Sequence, residues 1–180
     1  QAEHGPDGLA WLVTWDEAVA DAVEAEVARI VEASPRRDDV TGTLTSAGWT
    51  VLVDGPDEAL TVVDAIAPEH LQLMVDGAEA LADRVRHAGA VFCGPWSPAS
   101  LGDYVAGPSH VLPTAGTARF SGALTVADFT KEVHVVTADR GALERLAPHV
   151  AALADAEGLD AHAYSVRIRM ADGPGGTAGG

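Results

Sequence analysis

The chain has few basic side chains. Only 11 of its 180 residues are lysine or arginine, against 27 aspartates and glutamates, and the formal net charge is −16. Lys131 is the only lysine, and Arg36 and Arg37 are the only adjacent arginines. Proteins that bind nucleic acid neutralise phosphates with clustered cations, so this composition argues against a nucleic-acid partner.

Cysteine and long apolar runs are also scarce. Cys93 is the only cysteine, so no internal disulfide can form, and we expect a reducing, cytoplasmic location. No stretch approaches the roughly 18 uninterrupted apolar residues that a membrane span requires, so we expect no membrane association. Hydrophobic residues nevertheless make up 47% of the chain, which is enough to build a folded core.

Short apolar runs alternate with amphipathic segments over the first 93 residues. The runs that predict strands are 9–14, 49–53, 71–75 and 90–93, and helical spacing of apolar residues predicts helices over 17–34, 57–65 and 78–87. Thr14 and Glu17 have the spacing of a capping box at the start of the first helix. This alternation is typical of an α/β protein with a largely parallel sheet.

Residues 94–116 are rich in glycine and proline and show little periodicity. Long ordered loops in compact domains usually carry function. Asp103 and His110 lie in this stretch at a spacing that could place both in one pocket, although either could instead cap a turn.

Beyond residue 116 the pattern predicts a strand over 134–137 and a helix over 140–156. Residues 163–170 fit either period, and we expect 173–180 to be disordered.

The positions of the histidines in the chain indicate which of them are candidate site residues. Glu69 and His70 lie where a helix gives way to a strand, and they could form an acid/base pair or belong to a solvated loop. His4 and Gln1, three residues apart, could share one helical face as half of a metal site. His162 follows several carboxylates, which could orient its ring for a metal or simply interact with it.

Five segments together resemble the histidinol dehydrogenase family. They are QAEH at 1–4, APEHL at 67–71, AGAVF at 88–92, GDYVAGPSHVLPT at 102–114 and DFTK at 128–131. Their order and approximate spacing agree with the family from residue 1 to about residue 170. The thirteen-residue segment alone makes chance agreement improbable.

The resemblance implies an α/β fold of three αβα layers with a largely parallel sheet, as in histidinol and aldehyde dehydrogenases. It implies an α/β domain over 1–124, a small helical appendage for dimerisation and substrate binding over 125–170, and a tail over 171–180. The implied activity is the oxidation of L-histidinol to L-histidine through the aldehyde, the last steps of histidine biosynthesis. Two NAD-dependent oxidations would occur at a zinc site that the two subunits of a homodimer share.

Residue by residue, the resemblance implies that His70 takes protons from the alcohol and then from the hydrated aldehyde, while Glu69 activates water. The implied zinc ligands are Gln1, His4, Asp103 and His162, the last reaching into the site of the other subunit. The implied substrate contacts are Gln1, His4, His70, Asp103, His110, Glu157 and His162.

The NAD site is the part of the family pattern that this sequence does not supply. The family's nicotinamide-binding domain corresponds to sequence before Gln1, and no G-x-G-x-x-G fingerprint occurs in the chain. We therefore expect the chain to carry the metal and acid/base half of the site and to be inactive as an isolated fragment. The alternatives are a paralogous zinc- and NAD-dependent alcohol dehydrogenase, against which His110 and Glu157 argue, and a non-catalytic metal-binding or dimerisation module.

Overall fold

The computed structural model describes residues 1–5 and 8–171, and the chain divides into two compact units between Thr130 and Lys131. In the first unit, β1 (Ala10–Thr14) pairs in parallel with β2 (Gly48–Leu52), and β3 (His70–Leu73) pairs in parallel with β4 (Ala90–Cys93). The predicted α/β class with parallel strands is confirmed. Within the described residues, the strands form two separate two-stranded sheets.

Helices connect the strands, because parallel neighbours require a crossover. The helices of the first unit are α1 (Glu17–Ala33), α2 (Arg37–Ala47), α3 (Pro56–Ile66), α4 (Ala78–Ala82) and α5 (Ala99–Tyr104), with short 3-10 helices at Ala2–His4, Thr117–Arg119 and Val126–Phe129. The sequence pattern did not predict α2. It is rich in threonine and contains Gly42, both poor helix formers, and its one buried side chain is that of Thr43.

The helix after β1 begins with a different cap from the one predicted. Oδ1 of Asp16 accepts hydrogen bonds from the backbone N–H groups of Ala18 and Val19 at 2.9 and 3.3 Å. Thr14 accepts one from the N–H of Asp16 instead of closing a box with Glu17. The predicted Thr14–Glu17 capping box is therefore wrong, because a carboxylate one residue before the helix reaches its free N–H groups more directly.

The helix after β3 is shorter than the predicted 78–87 and ends at Ala82. The carboxylate of Asp64, at the carboxyl-terminal end of α3, accepts hydrogen bonds from the N–H groups of Arg86 and His87, both at 3.1 Å. These two N–H groups are therefore satisfied outside a helix. The buried apolar residues nearby include Ala59, Leu60, Val63, Leu73 and Ala78.

The second unit is built on the helix pair α6 (Arg140–Glu157) and α7 (Asp160–Ala171). Gly158 lies between them at φ 73°, a left-handed conformation that suits glycine and allows the chain to reverse. The residues that this pair buries are Ala147, Ala154, Ala163 and Val166. The segment 163–170, left open between helix and strand, is thus helical.

The predicted strand over 134–137 is wrong. These residues belong to no strand or helix, and Val135 and Val136 are exposed over 85% and 90% of their surface. A β-branched run becomes a strand only where a partner strand supplies its hydrogen bonds. The expected disordered tail at 173–180 lies outside the described residues. No helix in the described part of the chain is both long and apolar enough to cross a membrane.

Candidate active site

Glu69 and His70 are held at the amino-terminal end of β3. Helix α3 ends at Ile66, and the next residue, Ala67, is almost fully buried and has φ 52°. The carbonyl oxygen of Glu69 then accepts a hydrogen bond from the N–H of Ala90 at 2.9 Å, and that of Pro68 accepts one from Gly89 at 2.9 Å. The backbone of the Glu69–His70 pair is therefore fixed against the start of β4 instead of lying in a loose loop.

The close approach of Gly89 to this turn requires a glycine. A Cβ atom at residue 89 would lie 2.6 Å from the carbonyl oxygen of Glu69 and 3.0 Å from Cδ of Pro113. Cβ atoms essentially never lie 2.6 Å from a non-bonded backbone atom, so a side chain here would push the Glu69 backbone away. The hydrogen bonds that hold the start of β3 depend on Gly89.

The imidazole of His70 lies between two carboxylates. Its Nε2 is 3.2 Å from Oδ1 of Asp103, and its Nδ1 is 3.9 Å from Oε1 of Glu69. The His70 side chain is only 11% exposed, whereas those of Asp103 and Glu69 are 30% and 40% exposed. The distance to Asp103 is within hydrogen-bond reach, and the distance to Glu69 is beyond it.

This arrangement allows the two ring nitrogens to take different roles. A neutral imidazole carries one N–H donor and one acceptor, and the partner of one nitrogen determines which is which. If Nε2–H donates to Asp103, Nδ1 is the basic nitrogen and faces the more exposed Glu69. The cluster can therefore accept a proton at one atom while a carboxylate orients the ring at the other.

Phe92 and Gly102 border the same cluster. In the β3–β4 pair His70 is opposite Ala90 and Gln72 is opposite Phe92. Because side chains alternate along a strand, His70 and Phe92 lie on one face of the sheet. Their ring centroids are 6.0 Å apart, and the ring planes differ by 25°. Sequence reasoning did not identify Phe92 or Gly102 as site residues. The sequence predicted strand β4, but it did not predict how β4 is aligned with β3 and therefore which side chain lies beside His70.

Asp103 is the residue predicted from the turn-rich stretch that the structure brings to His70. It lies in α5, a six-residue helix that the glycine- and proline-rich sequence had concealed. His110 follows in an irregular segment and is exposed. The structure therefore pairs Asp103 with His70 across 33 residues of sequence.

The start of the chain forms a short 3-10 helix. Gln1 and His4 are both exposed there, and the N–H of His4 donates to the Gln1 carbonyl at 3.4 Å. The next residue is fixed, because Oγ1 of the fully buried Thr43 donates to the Gly5 carbonyl at 2.7 Å. The two side chains are thus presented to solvent from an anchored backbone.

Glu157 and His162 belong to the second unit. Glu157 is the last residue of α6 and His162 lies in the first turn of α7, on either side of the Gly158 reversal. Both are exposed. Across residues 1–5 and 8–171, no three His, Cys, Asp or Glu side chains come together in a way that could hold a metal.

A family model supplies the deciding comparison. The model described as histidinol dehydrogenase matches residues 1–170. The chain belongs to the histidinol dehydrogenase family. The resemblance that the five sequence segments carry is thereby confirmed, and the relatives are named for an oxidoreductase activity.

Individual relatives agree with this assignment. Histidinol dehydrogenase of Thermobifida fusca (strain YX) is 50% identical over 171 residues, and that of Parasynechococcus marenigrum (strain WH8102) is 45% identical over 170. The crystal structure of histidinol dehydrogenase from Elizabethkingia anophelis matches with a TM-score of 0.87 at 30% identity. Each comparison covers 94% of this chain and 39% of the relative, so the chain spans about two fifths of their length.

Proposed function

We propose that the protein containing this chain is a zinc-dependent histidinol dehydrogenase that oxidises L-histidinol to L-histidine in two NAD-dependent steps, through the aldehyde. The observation that carries the proposal is the imidazole of His70 between Glu69 and Asp103, in a chain of this family. The chain supplies the metal and acid/base half of the site. The expected surroundings are the cytoplasm and a homodimer.

His70 acts as the base. Oxidation of an alcohol to an aldehyde transfers a hydride to NAD and releases the hydroxyl proton, which needs an acceptor that is active near neutral pH. Imidazole is such an acceptor. Asp103 holds the ring through Nε2, so Nδ1 takes the proton. Burial of the ring keeps its orientation fixed between turnovers.

Glu69 acts in the second oxidation. The aldehyde must first add water to become a hydrate, whose hydroxyl proton and hydride can then leave as in the first step. The Glu69 carboxylate is more exposed than His70 and lies 3.9 Å from Nδ1, a separation that suits a water-activating group beside the base. Two carboxylates in one site can thus orient the imidazole and activate water separately.

The donor set proposed for zinc is one amide oxygen, one carboxylate and two imidazoles. Nitrogen and oxygen ligands of this kind suit zinc. Oδ1 of Asp103 contacts His70, which leaves Oδ2 for a metal, and the other side chains of the set are exposed. When bound, zinc would supply Lewis-acid polarisation of the substrate oxygen. The proposed ligands are Gln1, His4, Asp103 and, from a second subunit, His162.

The substrate carries an ammonium group and an imidazole, and both need polar partners. Glu157 is suited to the cationic ammonium or to an imidazole N–H, and His110 supplies a further polar contact; both side chains are exposed. The remaining proposed substrate contacts come from His70 and the zinc ligands. Recognition of a cationic amino alcohol is also compatible with a chain whose net charge is −16.

The test is the stoichiometry of NADH formed from a limiting amount of L-histidinol by the complete protein. Two NADH per histidinol, with L-histidine as the product and loss of activity after zinc removal, is the expected result. One NADH per histidinol would instead indicate a paralogous alcohol dehydrogenase that stops at the aldehyde. Absence of NADH from a folded, zinc-loaded dimer would support a non-catalytic module.

A further inference from the structure

We propose that Phe92 is a positioning residue that sets the distance between His70 and Asp103, and that residue 102 is glycine because the Phe92 ring lies against it. The inference rests on the proposed function for the role of His70. Phe92 and Gly102 would not react themselves. They would act by fixing the positions of His70 and Asp103.

The sheet register brings Phe92 to His70. The two side chains are diagonal neighbours on one face of the β3–β4 pair, and their rings are offset-stacked with centroids 6.0 Å apart. An aromatic ring has few rotamers and presents a flat, rigid surface. It therefore restrains the imidazole more tightly than an aliphatic side chain could.

The helix that carries Asp103 packs on the other end of the same ring. A Cβ atom at residue 102 would lie 2.6 Å from Cζ and 2.8 Å from Cε1 of Phe92, so any side chain there would force the ring or the helix to shift. Gly102 lies inside α5, where alanine has the higher helix propensity. Contact with the ring, and not backbone conformation, is therefore the reason for glycine.

These contacts make Phe92 a spacer. The strand holds His70, the helix holds Asp103, and the ring lies between the sheet face and the residue adjacent to Asp103. The 3.2 Å distance from Nε2 of His70 to Oδ1 of Asp103 thus depends on the ring and on the absence of a Cβ at residue 102. Small displacements of catalytic groups have large effects on rate.

A double-mutant cycle tests this in the complete protein with Phe92→Leu, Gly102→Ala and the double variant. Each single change should lower kcat for histidinol oxidation by about tenfold or more, with KM changed by less than about twofold. Leucine leaves space for the added methyl group, so the double variant should be no slower than the slower single variant.

Matched controls carry the same chemical changes elsewhere. Phe120 is 81% exposed, and Gly42 lies in α2, where an added Cβ would have no neighbouring atom within 4 Å. Phe120→Leu and Gly42→Ala should therefore leave kcat within about twofold. Single variants no slower than these controls, or a double variant with the multiplied loss of about a hundredfold, would overturn the proposal.

A spectroscopic readout separates this proposal from the proposed function. The ¹⁵N resonances of the His70 ring, assigned with His70→Gln, report which nitrogen carries the proton. Both single variants should change them toward a tautomer mixture, while Phe120→Leu and Gly42→Ala should not. Unchanged resonances in both single variants overturn the spacer role; a protein that shows these changes but does not oxidise histidinol refutes the proposed function alone.

Discussion

Nε2 of His70 lies 3.2 Å from Oδ1 of Asp103. This contact links the first residue of β3 to helix α5, 33 residues further along the chain. On the opposite side of the ring, Glu69 lies 3.9 Å from Nδ1. The two carboxylates thus contact different nitrogens at different distances. That asymmetry is the basis for the proposal that Asp103 orients the ring and Glu69 activates water.

Replacing Glu69 should affect the two oxidations unequally. Glu69→Gln keeps the size and polarity of the side chain but removes the carboxylate that the proposal assigns to water activation. We expect aldehyde oxidation to slow by about 10²-fold or more and alcohol oxidation to slow much less. Rapid-quench analysis with an aldehyde trap would measure this. Equal slowing of both steps would show that Glu69 serves the base and not the water.

Asp103 contributes to the site in two ways, as the partner of His70 and as a proposed zinc ligand. Asp103→Asn keeps an oxygen that can accept from Nε2–H but removes the negative charge that strengthens the binding of a cation. We expect zinc affinity to fall at least about 10- to 100-fold. Elemental analysis after dialysis against graded chelator checks this, with the exposed Asp21→Asn as a control. Unchanged zinc content would remove Asp103 from the ligand set.

Gly89→Ala should destabilise the chain. The new methyl group would meet the Glu69 carbonyl oxygen and the Pro113 ring, and overpacking of this kind costs about 1–3 kcal/mol. The free energy of unfolding from urea titration measures the loss. Gly42→Ala, in an open position within α2, should instead stabilise by up to about 1 kcal/mol. Equal effects of the two substitutions would refute the steric argument.

The turn at Thr125 should depend on pH. The backbone N–H of Thr125 donates to Oδ2 of Asp128 at 2.6 Å, and the Thr125 hydroxyl donates to the same oxygen at 2.9 Å. These two bonds, the backbone bond more than the hydroxyl bond, lower the pKa of Asp128 below its usual value. Because the folded pKa is lower than the unfolded pKa of about 3.9, the stabilisation is complete above that pH. It is lost as the pH falls through the folded pKa.

Amide NMR of Thr125 between pH 6 and pH 2 checks this expectation. The resonance should hold its hydrogen-bonded position at neutral pH and move only in the acidic range below about pH 4. Asp128→Asn should give a resonance that no longer depends on pH in that range. A transition centred above the usual carboxyl value would contradict the sign of the shift.

Local pattern was sufficient to predict most of the elements in the first 93 residues. Apolar runs predicted the four strands, and β4 occupies residues 90–93 as expected. Where prediction failed, contacts distant in sequence decided the outcome. Helix α4 ends at Ala82, the N–H groups of Arg86 and His87 beyond it donate to Asp64, and 134–137 has no partner strand among the described residues. Helix α2 is poor in good helix formers and was missed for that reason.

Only part of the candidate site could be predicted from the sequence. Glu69, His70 and Asp103 were named from motif and resemblance, but their mutual distances depend on how α5 packs against β3. Phe92 and Gly102 could not be found, because the register of β3 against β4 places the ring beside His70. The assembly of Gln1, His4 and His162 into a zinc site stays a prediction.

Substitution of His70 tests the central claim most directly. His70→Gln retains an amide near the position of Nε2 for Asp103 but removes the titratable base. In the complete protein we expect kcat for histidinol oxidation to fall by about 10²- to 10⁴-fold, while calorimetry shows histidinol binding within a few fold of the unaltered protein. A kcat within about threefold of the unaltered protein would contradict the account, because another group would then be the base.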